Sequence, residues 1–65
     1  MLLLKFLRID QGYSQADLAK VVHVQQSDVS RFETGRGLPT NVQQQSIALA
    51  LGCAPERLFE QVARP

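Results

Sequence analysis

Sixty-five residues, 45% of them apolar and with a formal charge of +1 (7 Lys+Arg against 6 Asp+Glu), describe one small globular domain over residues 1–65. That is too little charge and too much apolar content for a disordered chain. Cys53 and His23, the lone cysteine and histidine, exclude an internal disulfide and fall short of a four-ligand zinc site, so a reducing cytoplasmic setting with neither metal nor other cofactor is expected. The longest apolar run, Met1 to Leu4, is interrupted by Lys5 and then Arg8, which argues against a membrane span or a secretion signal.

A domain this small, without metal or disulfide, needs densely packed helices. Glycines and prolines divide the chain into five segments. The first, Leu2 to Gln11, consists largely of good helix formers and is followed by Gly12 as a stop. Leu4, Leu7 and Gln11 share one face, while Leu2, Phe6 and Ile9 form a second apolar stripe on the opposite side. That second stripe is either covered by the fifth segment or offered to a dimer mate or partner. The second helix opens at Ser14, with Asp17 in the capping-box position. Ala16, Leu18, Ala19 and Val22 are its expected buried residues, and it should end near His23 in a left-handed turn made without glycine.

The third segment, Gln26 to Thr34, turns Val29 and Phe32 inward and closes at Gly35. A loop through Pro39 leads to Thr40, the cap candidate for the fourth helix, Asn41 to Leu51. That helix carries the apolar residues Val42, Ile47, Ala48, Ala50 and Leu51 and should stop at Gly52. A fifth helix starts at Pro55, which is favoured at the first helical position, and groups Leu58, Phe59 and Val62. Cys53 is expected as a small core residue between the last two helices. No stretch alternates with period two for long enough to make a strand, so the fold is all-α.

The second and third helices are joined only by residues around His23-Val24-Gln25, a link short enough to force a sharp crossing. The run Ser14-Gln15-Ala16-Asp17-Leu18-Ala19-Lys20, then Val24 through Arg36, then Pro39, resembles the Cro and phage-repressor type of helix-turn-helix protein. Ile47 to Gly52 and Glu56-Arg57-Leu58-Phe59 extend the resemblance across residues 3 to 60. The resemblance implies a five-helix DNA-binding domain whose second and third helices form the helix-turn-helix and whose third enters the major groove of double-stranded DNA.

By the same resemblance, Gln26, Ser27, Ser30 and Arg31 fall on the base-reading helix. The Gln26 amide matches N7 and N6 of adenine, and the Arg31 fork matches O6 and N7 of guanine. Gln15 matches a phosphate contact at a helix start, where free backbone amides favour an anion. Gln25, as helix cap or DNA contact, and Thr34, Arg36 and Thr40 match positions along the DNA backbone, which set register and not sequence preference. Arg8 and Glu33 match an ion pair that ties the first helix to the end of the third. Two positions depart from the pattern. His23 stands where a turn glycine is usual, and Asp28 puts a negative charge on the reading helix, where it either accepts from a cytosine amino group or points sideways.

The function expected is that of a sequence-specific transcriptional regulator, by default a repressor. One short helix makes few base contacts, so a homodimer on two half-sites is expected. The competing class is a protein-interaction module, such as the antitoxin half of a pair, that keeps the fold with little DNA binding of its own. No nucleophile–base set or phosphate-binding glycine loop supports an enzyme.

Overall fold

The computed structural model describes residues 1–63. Four α-helices follow in order: α1 (Leu3–Asp10), α2 (Gln15–Val22), α3 (Gln26–Thr34) and α4 (Asn41–Leu51). The predicted fifth helix is instead one turn of 3-10 helix, Pro55–Arg57. Five helices are therefore corrected to four, within an all-helical fold that holds no strand among the described residues beyond one isolated bridge, Leu2 to Gln61.

The reason the fifth helix fails lies at the other end of the chain. Helix α1 has Leu2 at its N-cap, with no side chain to satisfy its first-turn amides, and such orphan donors need partners. The segment after the 3-10 turn supplies them. Leu3 N–H donates to the Glu60 carbonyl at 2.8 Å, and Leu4 N–H donates to the Leu58 carbonyl at 2.9 Å. Val62 N–H returns a bond to the Met1 carbonyl at 2.9 Å. A helix continuing through Leu58 would turn these carbonyls along its own axis and leave α1 uncapped.

The other boundaries are local. Ser14 Oγ accepts the Asp17 amide at 2.9 Å and Asp17 Oδ2 accepts the Ser14 amide at 3.3 Å, a reciprocal cap for α2. Thr40 and Gln43 make the same exchange at the start of α4. His23 ends α2 in the left-handed region (φ 60°, ψ 44°). This sharp exit, sealed by Val24 N–H to the Ala19 carbonyl at 3.0 Å, aims α3 across α2.

The core joins Leu4, Leu18, Ala19, Val22, Val29, Phe32, Ile47, Ala48, Leu51 and Leu58, all nearly sealed from solvent. Ala16 and Val42 lie outside it, and Ala50 is half-buried against it. Ala16 is exposed because it sits about a third of a turn off the Leu18–Val22 stripe. Val42 is 75% exposed; at 100° per residue it lies nearly opposite Ile47, Ala48 and Leu51, on the same outward line as Leu49. Phe59 packs partly against the core, Val62 is half-buried, and Cys53 is half-buried beside the core.

Candidate nucleic-acid interface

Helix α3 is amphipathic in a way that separates support from display. Val29, Phe32 and Glu33 are buried. Ser27, Ser30, Arg31 and Thr34, spaced i, i+3, i+4 and i+7, form the outward stripe, with Ser30 half-buried and the other three exposed. Gln26 is exposed at the first helical position and Gln25 is exposed at the N-cap. Arg36 extends from the loop after Gly35, where φ is +76°.

The inner end of α3 is fixed by a bidentate contact. Arg8 Nε donates to Glu33 Oε2 at 2.5 Å, and Arg8 Nη2 donates to Glu33 Oε1 at 3.2 Å. Arg8 Nη1 also donates to the Tyr13 carbonyl at 2.8 Å. Both residues are 8% exposed. A buried carboxylate and guanidinium are tolerable only when their remaining donors and acceptors are also matched. Among the described residues, no buried side-chain nitrogen or oxygen lacks a partner.

Gln15 completes that set, its Nε2 donating to Glu33 Oε1 at 3.0 Å. Its side chain thus braces the ion pair with one N–H and keeps a second N–H beside the backbone amides at the start of α2. Thr34 is similarly committed: its hydroxyl donates to the Ser30 and Arg31 carbonyls at 3.1 and 3.3 Å. This back-bonding to the preceding turn is a habit of helical threonines and was legible in its position. Thr40 differs, because its oxygen accepts the Gln43 amide at 3.1 Å and its O–H stays available to donate.

Asp28 takes the second of its two expected courses and adds a cap that was not expected. Its Oδ2 accepts the Gln25 amide at 3.1 Å, capping α3, while its Oδ1 binds Arg31 Nη2. It therefore points sideways along the helix, and the i, i+3 spacing of an acid before an arginine was the available signal.

The Leu2, Phe6 and Ile9 stripe is divided. Leu2 pairs with Gln61 through the backbone, Leu2 and Phe6 are half-buried, and Ile9 is 52% exposed. Met1, Phe6, Ile9 and Asp10 line a shallow apolar cleft there. Burial pushes the Cys53 thiol pKa above its ordinary value, with Arg57 opposing the rise and Glu56 adding to it. Among the described residues, no three His, Cys, Asp or Glu side chains gather as a metal site, and no helix is long and apolar enough to cross a membrane.

A helix-turn-helix domain profile matches residues 2–61. The chain belongs to the helix-turn-helix domain family. It is also similar to the restriction-modification controller protein C.AhdI from Aeromonas hydrophila, with a TM-score of 0.77 and 34% identity over 86% of this chain and 85% of that one. Among curated proteins none matches significantly.

Proposed function

We propose that the protein is a sequence-specific repressor that binds double-stranded DNA in the cytoplasm as a homodimer, laying α3 in the major groove. The coarser function, DNA-binding transcriptional regulation, follows from helix-turn-helix membership and from the similarity to a restriction-modification controller protein. The observation that carries the finer reading is the outward stripe of α3, which is hydrogen-bonding side chains throughout, on a helix whose other face is locked into the core.

Gln26 reads adenine, Arg31 reads guanine, and the Ser27 and Ser30 hydroxyls serve either donor or acceptor edges. Gln25, Arg36 and Thr40 hold the DNA backbone, joined by Gln15 and the backbone amides beside it, while the Thr34 hydroxyl and the amides that follow it stay bonded within the end of α3. Arg36 brings the positive charge of that group, and the Thr40 hydroxyl retains its proton for a phosphate oxygen.

Size and surface support the dimer. The longest dimension is 28 Å, short of the ~34–36 Å between half-sites one helical turn apart, so one copy reads one half-site. Helix α4 contains no charged residue and turns Val42 and Leu49 outward, 75% and 85% exposed. Near a two-fold axis each residue meets itself or a close neighbour, and an uncharged face avoids like-charge repulsion there. That face is the better surface for a second copy, with the half-covered Leu2, Phe6 and Ile9 stripe as the rival. A dimer seated on a promoter represses by occlusion.

Titrating labelled duplex with the protein over a range of salt tests this reading, with sedimentation giving the mass. Affinity should fall linearly on a log–log salt plot as counterions are released, and Leu49→Glu should leave a folded monomer with much weaker binding. Salt-insensitive association would point to a protein-interaction module instead.

A further inference from the structure

Arg31 is held on two sides. Its Nη2 donates to Asp28 Oδ1 in an ion pair one turn apart on α3. Its stem lies against the loop, where a Cβ added at Gly37 would sit 3.7 Å from Arg31 Cβ and 3.9 Å from Nε. Asp28 is itself anchored, because Oδ2 accepts the Gln25 amide at 3.1 Å. The Asp28 side chain is 23% exposed against 57% for Arg31. The carboxylate is the fixed member and the guanidinium the displayed one.

We infer that Asp28 is a positioning residue that sets the base specificity of Arg31, resting on the reading that α3 occupies a major groove. A guanidinium has five N–H donors. Asp28 engages one, and the fork still has donors for a base edge with two acceptors. Guanine offers that edge through O6 and N7, whereas adenine presents a donor at N6. A freely rotating arginine would also take phosphate oxygens along the groove wall, an attraction that carries no sequence information. The Asp28 carboxylate opposes that alternative twice, by neutralising Arg31 locally and by repelling phosphate. It also reduces the side-chain freedom lost on docking. Specificity at one base pair therefore rises while sequence-independent affinity falls.

Two variants separate this role from helix capping. Asp28→Asn keeps an acceptor for the Gln25 amide and removes the charge that holds Arg31, whereas Asp28→Ala removes both. Each is compared with the wild type on the duplex the wild type selects, on single-base variants of it, and on a scrambled duplex across a salt series. Asp28→Asn should bind the scrambled duplex more tightly, with a salt slope steeper by about 1 per arginine released. It should lose about tenfold preference at the one base pair that Arg31→Ala also erases. Preferences elsewhere and the thermal midpoint should stay unchanged.

Equal changes on every duplex, or an intact preference at the Arg31 pair, would overturn the inference. So would an effect confined to Asp28→Ala, seen as a lower midpoint with all preferences kept. A wild type that prefers no duplex at all overturns the groove reading of α3 and this inference with it, an outcome distinct from a silent Asn variant.

Discussion

Helix α3 carries a carboxylate toward the core and another at its outer flank, and each holds an arginine. Glu33 binds Arg8 with side-chain exposures of 2% and 10%, whereas Asp28 binds Arg31 with 23% and 57%. The chemistry is the same and the surroundings differ. Arg8 and Glu33 are desolvated, bidentate and buttressed by Gln15 and the Tyr13 carbonyl, so losing either strands a buried charge. Arg31 and Asp28 remain hydrated, and exposed ion pairs add ~0–1 kcal/mol to stability. Burial thus makes one pair a fastener of the fold and leaves the other available for DNA.

That contrast is broken most forcefully at Glu33. Glu33→Ala should destabilise the protein by ~3–5 kcal/mol, read as a lower urea midpoint, and should reduce DNA binding only through loss of folded protein. A loss of under about 1 kcal/mol would make the buried pair equivalent to a surface pair.

Arg31→Ala should do the opposite. Stability should move by less than ~0.5 kcal/mol, while discrimination at a single base pair falls by ~1–3 kcal/mol. Competition binding with single-base variants of the site measures it. Arg36→Ala sharpens the distinction between reading and holding. It should weaken binding to all duplexes alike and lower the salt slope by ~1. Uniform losses from both arginines would erase that distinction.

The smallest expected effect is at the turn that sets the angle of α3. His23 occupies the left-handed region, which is unfavourable for a residue with a Cβ, while glycine enters it freely but loses more entropy on folding. His23→Gly should therefore stabilise the domain by ~0.5–1 kcal/mol net, a rise of a few degrees in thermal midpoint, with base preferences unchanged. A shift in preference would mean that the histidine itself tunes the placement of α3.

What the sequence made legible was decided within a few residues. The Ser14–Asp17 cap, the start at Thr40, the stops at Gly35 and Gly52 and the strained turn at His23 all depend on neighbours in the chain. The C-terminal segment was not legible in that way. Pro55 signals a helix start, but the amides of Leu3 and Leu4 claim the carbonyls of Glu60 and Leu58 across the whole chain length. Val42 differs, because its helical spacing from Ile47 and Leu51, readable in the sequence, already turns it outward. At the interface, residue types revealed which side chains suit bases and phosphates. They did not reveal that Gln15 is engaged by Glu33 from another helix, whereas the Thr34 back-bond and the Asp28–Arg31 pair were signalled by spacing within α3.

Selection from a random duplex library at about 0.15 M salt, with the Gln26→Ala, Arg31→Ala double variant in parallel, tests the central claim most directly. The account predicts that the wild type enriches an inverted repeat with half-site centres ~10–10.5 base pairs apart and that the equally well-folded variant does not. Enrichment of the same repeat by both proteins, or of none by the wild type, would contradict the assignment of α3 as the reading helix.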